Sequence, residues 1–181
     1  HASLPEKQNS IVVLGTVQPD YPREAIIHLS LGNEILGGGT LTSRLGRNIR
    51  QKQGLSYGIS AFSIPYSLQS LWGVYALSPN ATLPRLIAST RAEIDKFMKD
   101  GPTEMEVQKA YRRRLVTFAF SLETPDKIAA LLSGFYSEGR TIDALLRYFR
   151  IADKIDAASI HAAMKQYLSP DKLVISTAGG K

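Results

Sequence analysis

Segments typical of β-strands lie within the first 77 residues and the last ten, and the long interval between them carries only helix patterns. Alternating or continuous apolar residues predict strands at residues 9–17, 55–63, 69–77 and 172–178. Doubly wound folds and α/β barrels require strands and helices to alternate, so this grouping excludes both. We therefore predict an α+β fold with a mostly antiparallel sheet and helices packed on one face.

The composition fits one globular domain over residues 1–181. A chain of 181 residues can bury a sizeable core, and 44% hydrophobic with 21% charged residues is ordinary for such a domain. No apolar run approaches the length of a membrane span, so none is predicted. The absence of cysteine excludes disulfides, thiol catalysis and cysteine-ligated zinc. Composition leaves the compartment open between cytoplasm and periplasm.

Helix boundaries are marked by residues with known roles at helix ends. A helix is predicted over residues 24–36, ended by Gly37–Gly39 because glycine tolerates a left-handed backbone. Thr40 or Thr42 is predicted to begin a second short helix that runs to about residue 51. Further along, Thr103 and Glu106 have the spacing of a capping box at the start of a long helix.

Patterns for metal, serine and phosphate sites are incomplete. The three histidines, His1, His28 and His161, lie far apart and form neither H-E-x-x-H nor its inverse, so no metal site is predicted in this chain. Residues 54–58 match G-x-S-x-G, but a helix precedes and a strand follows, the reverse of a nucleophile elbow. The glycines at residues 37–39 lack the remaining residues of a phosphate loop.

The net charge of +6 favours an acidic partner or a solvated basic face. The run Arg112–Arg114 lies in a predicted helix, where three consecutive side chains sweep about 200° and form no single basic stripe. Aromatic residues do not interleave with the basic ones as a stacking platform would require. A nucleic-acid partner is therefore not predicted, although a basic binding module remains an alternative.

Arg50 and Tyr57 stand seven residues apart, where a helix is predicted to end and a strand to begin. Arginine offers a fork of charged donors, and tyrosine offers one hydroxyl on a rigid ring. Together they could hold a peptide carbonyl or the oxyanion formed when a peptide bond is attacked. A surface arginine beside a core tyrosine would explain the same spacing.

The stretch "LGNEILGGGTLTSRLGRNIRQKQGLSYGISAF" resembles the signature of the C-terminal domain of the M16 metallopeptidases. The family's N-x-x-L-G-G, S-R-L and basic block before a strand correspond to residues 33–38, 43–45 and 49–57. The later "GPTEMEVQKAYRRR" and "YLSPDKLVISTAG" resemble further parts of the domain, so the likeness covers nearly the whole chain. Three glycines run straight into "TLTSRL" without a long glycine-rich insertion, which fits a bacterial zinc protease best.

This resemblance implies an M16-type, LuxS-like two-layer α+β sandwich. The chain would be the zinc-free domain of a longer two-domain protein, with zinc bound by a homologous N-terminal half on the same chain or on a partner subunit. Arg50 and Tyr57 match the family positions that reach across a closed chamber, hold the peptide substrate and stabilise the tetrahedral intermediate. Glu34, Ser43 and Arg44 are expected to serve packing or helix ends.

Two rival functions remain open from the sequence. Some M16 relatives keep the fold as non-catalytic scaffolds or partner subunits, and the intact Arg50 and Tyr57 pair argues against that role here. A stand-alone basic module would instead bind nucleic acid in a salt-sensitive way. Alone, the chain is not expected to cleave peptides.

Overall fold

The computed structural model describes residues 1–22, 24–65, 69–137, 139, 141–152 and 154–180. Within these ranges the backbone forms five strands and six α-helices. The strands are β1 Ala2–Ser3, β2 Asn9–Gln18, β3 Gly58–Pro65, β4 Ser70–Pro79 and β5 Val174–Gly179. The helices are α1 Ala25–Asn33, α2 Leu83–Asp100, α3 Glu104–Phe120, α4 Pro125–Ser137, α5 Ile142–Ala152 and α6 Ala157–Tyr167. Two π-helices, Glu34–Gly38 and Gly46–Lys52, lie between α1 and β3.

The five strands form one sheet in the order β1-β5-β2-β4-β3. All neighbours pair antiparallel except β1, whose two residues pair parallel with β5. The sheet is therefore mostly antiparallel, as predicted. The turn predicted between the two central strands falls largely on residues 66–68, which lie outside the described residues.

The two faces of the sheet differ because side chains alternate along each strand. In β2, the even-numbered Val12 and Leu14 are fully buried, and Val74 and Trp72 of β4 share their face. The opposite face carries apolar side chains that remain exposed, among them Ile11, Val17, Tyr75 and Val174. Among the described elements, the helices cover one face and leave the other open.

The helix layer is held on the buried face by apolar packing and a few polar links. Leu31 of α1, Phe97 of α2 and Ile160 of α6 are completely buried in the core. The Trp72 indole donates a hydrogen bond to the Asn33 side chain at 2.9 Å, which ties β4 to the end of α1. This architecture confirms the predicted α+β class. None of the described helices has the length and apolarity needed to cross a bilayer.

The glycine run has a different role from the one predicted. The helix continues as a π-helix to Gly38, and none of the three glycines has a positive φ. A Cβ on Gly37 would lie 2.5 Å from the Ala61 backbone nitrogen, and one on Gly38 would collide with the Glu34 carboxylate. Close packing against the β3 backbone requires glycine at residue 37, whereas a left-handed helix end does not occur.

Candidate functional site

Ser43 begins the segment that carries the candidate residues. Its hydroxyl donates to the Gly39 carbonyl at 2.5 Å and accepts from the Gly46 amide at 3.1 Å. This is the hydrogen bonding of a helix N-cap. The prediction that Thr40 or Thr42 begins the helix was therefore wrong by one to three residues. The sequence assignment of Ser43 to a helix end is consistent with the hydrogen bonds.

Gly54 ends the second π-helix and directs the chain toward the sheet. Its φ of +64° is in the left-handed region that favours glycine. The Gly54 amide donates to the Arg50 carbonyl at 3.2 Å, and the Leu55 amide donates to the Ile49 carbonyl at 3.0 Å. Ile49 and Leu55 are both buried, so the turn is anchored on each side by an apolar contact with the core.

Ser56 fixes the position from which the Tyr57 side chain projects. The buried Ser56 hydroxyl lies 2.6 Å from the Gly58 carbonyl oxygen and 2.7 Å from the Leu77 carbonyl oxygen. The Tyr57 amide also donates to Leu77, at 3.2 Å. Ser56 therefore links the turn to β4. A serine whose hydroxyl is buried against backbone carbonyls is not an exposed nucleophile, so the match to the serine-hydrolase pattern is a chance one.

Tyr57 combines a fixed backbone with an exposed ring, because 66% of the residue is accessible to solvent. Arg50 lies in the last turn of the second π-helix and is half-buried. Neither side chain makes a hydrogen bond or ion pair with another described residue. Arg50 and Tyr57 thus stand on either side of one turn, with the guanidinium and the hydroxyl available to a ligand.

Arg44, six residues before Arg50, has a very different environment. Its guanidinium donates to both carboxylate oxygens of Glu106, at 2.9 and 2.7 Å, and to the Gly101 carbonyl at 2.8 Å. It also lies 5.0 Å from the centre of the Phe97 ring. The hydrogen bond to Glu106 raises the pKa of Arg44 further, against the effect of burial.

Glu106 joins this ion pair to the cap of α3. Its carboxylate accepts from the Thr103 amide at 2.9 Å, and its own amide donates to the Thr103 hydroxyl at 3.3 Å, so the predicted capping box is confirmed. Burial alone would raise the pKa of Glu106. Hydrogen bonds from Arg44 and Thr103 outweigh burial and lower that pKa to about 2.

The three arginines of α3 face different surroundings, as their helical spacing predicts. Arg113 donates to the Glu34 carboxylate at 2.6 Å, whereas Arg112 is exposed. Arg114 is half-buried, and its Nε has no hydrogen-bond partner among the described residues. Glu34, through Arg113, and Arg44, through Glu106, therefore each link α3 to the segment between α1 and β3. This agrees with the structural role that the sequence indicated for both.

The three histidines lie apart, and each has a ring nitrogen within hydrogen-bond distance of another residue. His1 lies 2.7 Å from the Thr177 hydroxyl, His28 lies 3.2 Å from the Glu24 carbonyl, and His161 lies 2.8 Å from the Met98 carbonyl. Throughout the described part of the chain, no group of three or more histidine or acidic side chains fits a metal ion. The described histidine and acidic side chains do not fit zinc.

Sequence reasoning gave no role to Arg47, and noted Lys109 only as part of a motif. The structure brings both to one cavity with Arg44 and Arg113. A signal for this was present in the spacing of Glu106, Lys109 and Arg113, which recur on one face of a helix. The signal was weak because charged residues at this spacing commonly form a solvated helix face.

Comparison with known proteins gives consistent matches. The family described as "Peptidase M16 inactive domain" matches residues 2–114, more than half of the chain. A crystal structure of a peptidase M16 inactive domain from Pseudomonas fluorescens has a TM-score of 0.87 and 25% identity, and covers all of this chain and 43% of that one.

Two curated relatives carry different names. An "Uncharacterized zinc protease" of Rickettsia bellii is 33% identical over 76 residues, which is 42% of this chain and 18% of the relative. Mouse "Cytochrome b-c1 complex subunit 2, mitochondrial" is 23% identical over 150 residues, or 80% of this chain and 32% of the relative. The matched stretches therefore cover a third or less of these relatives. By its sequence and its fold, it belongs to the family of peptidase M16 inactive domains.

Proposed function

We propose that this chain is the zinc-free, substrate-binding half of a zinc-dependent endopeptidase. In this role it is one domain, residues 1–181, of a longer two-domain protein. Arg50 and Tyr57 hold the peptide backbone and stabilise the tetrahedral intermediate that forms when the peptide carbonyl is attacked. The zinc resides in a homologous M16 half, on the same chain or on a partner subunit.

The main observation behind this proposal is that the Arg50 guanidinium and the Tyr57 hydroxyl have no partner among the described residues, although the turn between them is held firmly by backbone hydrogen bonds. Tyr57 is largely exposed although its amide and its neighbour Ser56 are bound to β4. Arg50 has no ion pair with a described carboxylate, unlike Arg44 and Arg113 nearby. Fixed donors aimed at developing negative charge lower the reaction barrier, because they need no reorganisation when the charge forms.

The open face of the sheet supports the presence of a second half. Ile11, Val17, Tyr75 and Val174 expose apolar surface on the side that the described helices leave uncovered. Contiguous apolar surface of this kind commonly marks an interface or a binding face. Relatives named zinc proteases are more than twice as long as this chain, since 76 residues make up only 18% of one of them, and this leaves room for a homologous half.

The test is peptide hydrolysis by the full-length protein with Arg50→Ala or Tyr57→Phe. Each change is expected to lower kcat/KM at least about tenfold, since loss of one oxyanion donor costs one or more orders of magnitude. Zinc content, measured in the same samples, should stay unchanged because neither residue is a metal ligand.

Two matched variants serve as controls. Tyr136→Phe removes the hydroxyl of a tyrosine on α4 that is as exposed as Tyr57, and Arg85→Ala removes an exposed arginine from α2. Both should leave kcat/KM within about twofold of the parent. Normal turnover in Arg50→Ala and Tyr57→Phe would reject the proposed role. A full-length protein that binds no zinc and hydrolyses no peptide would point to the scaffold role instead.

A further inference from the structure

A cavity of about 600 Å³ lies between the loop that follows the glycine run and the first half of α3. This volume is within the range of sites that bind small ligands or peptide side chains. Neither Arg50 nor Tyr57 lines it. The cavity is therefore separate from the candidate site described above.

The charges around the cavity do not balance. Four cationic side chains and two carboxylates line it, which leaves an excess of two positive charges. The cationic residues are Arg44, Arg47, Lys109 and Arg113, and the acidic residues are Glu34 and Glu106. A local excess of positive charge in a cleft attracts an anionic ligand.

The four cations differ in how fully they are paired. Arg44 is held by Glu106 and Gly101 through its Nε and Nη2, and Arg113 is paired with Glu34. Arg47 makes only a 3.4 Å contact with Glu106, and 46% of its side chain is exposed. Lys109 is exposed and has no ion pair with any residue in the described ranges. Arg47 and Lys109 thus supply the available charge.

Each wall of the cavity carries one exposed apolar side chain, Leu41 on the loop and Met105 on α3. Leu41 and Met105 both line it, with 53% and 64% of their surfaces exposed. Ile35 and Ala110 are buried behind them. A ligand that places an apolar group against Leu41 and Met105 would remove this surface from water, at about 25 cal/mol per Å² buried.

The shape of the cavity depends on the glycine run and on the ion pairs. A Cβ on Gly39 would lie 3.0 Å from the Arg113 guanidinium and closer still to the Thr42 hydroxyl. The Arg113–Glu34 and Arg44–Glu106 pairs join the two walls. The walls are therefore held before a ligand arrives, which reduces the entropy lost on binding.

We propose that this cavity binds an acidic peptide segment, with a carboxylate held by Arg47 and Lys109 and an adjacent apolar side chain packed on Leu41 and Met105. This is a second binding site, and it does not depend on the role of Arg50 and Tyr57. A peptide fits better than a nucleic acid because the cavity combines a small charge excess with exposed aliphatic surface.

The probe is a fluorescently labelled hexapeptide that alternates glutamate and leucine. Its binding to the full-length protein is followed by fluorescence anisotropy at low salt, with a chelator present so that no zinc-dependent cleavage occurs. Two further peptides replace every glutamate by glutamine or every leucine by serine. Only the parent peptide is expected to bind tightly, and added salt should weaken it because the charges are partly exposed.

Lys109→Gln and Arg47→Gln should each raise Kd about two- to fivefold, as expected for partly exposed charges. Lys109→Glu should raise it more than tenfold. Lys96→Gln, which removes an exposed lysine of α2 outside the cavity, is the matched control and should leave Kd unchanged. Circular dichroism checks that each variant is folded.

Three results would overturn the proposal. These are equal binding of the glutamine peptide, an unchanged Kd in Lys109→Glu, or displacement of the peptide by a more tightly bound single-stranded oligonucleotide. Arg50→Ala separates the two proposals, because it should lower turnover while leaving the affinity for this probe unchanged.

Discussion

Arg44 and Arg50 lie six residues apart in one short segment, yet their surroundings are opposite. Arg44 donates to both oxygens of Glu106 and to the Gly101 carbonyl, and it rests on the Phe97 ring. Arg50 has no hydrogen-bond or ionic partner among the described side chains. Both carry the same charge, so residue type does not distinguish them.

The difference shows how one basic segment can serve both stability and binding. A guanidinium that is paired in a bidentate way with a carboxylate links the loop to α3 and stabilises the fold. A guanidinium without partners adds little to folding, but its donors remain available. Arg44 should therefore affect the free energy of unfolding, and Arg50 should affect peptide hydrolysis.

The largest expected effect on stability comes from Arg44→Met. Methionine keeps the apolar contact with Phe97 but removes the two hydrogen bonds from Arg44 to the Glu106 carboxylate and the one to the Gly101 carbonyl. The free energy of unfolding should fall by about 2–3 kcal/mol, because partly buried charged groups lose their hydrogen bonds. Urea denaturation measures this change.

Arg50→Met is the matched control for that comparison. It should change the free energy of unfolding by less than about 0.5 kcal/mol, as for a surface residue without partners. Equal losses in the two variants would remove the distinction between a structural and a ligand-binding arginine.

Acid should abolish part of the stability that Glu106 provides. Its pKa in the folded protein is about 2, below the usual 4.5. Its contribution is therefore full above about pH 4.5 and is lost as the pH falls toward 2. Glu106→Gln should be less stable than the parent at pH 6 by about 2 kcal/mol, and this gap should narrow at pH 3.

The measurement is urea denaturation of both proteins at the two pH values. Asp156, whose pKa is lowered by hydrogen bonds from Ser159, loses its contribution in acid in both proteins, so its effect cancels in the difference. A gap that stays constant from pH 6 to pH 3 would contradict the assigned ionic role of Glu106.

The smallest expected loss of stability is at the turn that separates Arg50 from Tyr57. Gly54→Ala should cost about 1 kcal/mol, because alanine tolerates the φ of +64° poorly although the space around it is free. Gly58→Ala is the control, since Gly58 also has free space and no positive φ, and its cost should be close to zero. Thermal unfolding compares the two, and equal shifts in Tm would exclude backbone strain at Gly54.

The order of elements could be predicted because each depends on local patterns. Apolar patterns identified every strand except the two-residue β1, and the spacing of Thr103 and Glu106 identified the start of α3. Prediction failed at the glycine run, where the close approach of the Ala61 backbone decides the residue type at Gly37. That contact joins residues far apart in sequence, and no local pattern reports it.

The sequence by itself determined the helix cap formed by Thr103 and Glu106, and it indicated Arg50 and Tyr57 as a candidate pair. Only the tertiary structure decided that Glu106 also binds Arg44, 62 residues away, and that Arg47 and Lys109 line one cavity. The reason is physical: a cap needs only a hydrogen bond within one helical turn, whereas an ion pair or a cavity depends on which elements the core brings together.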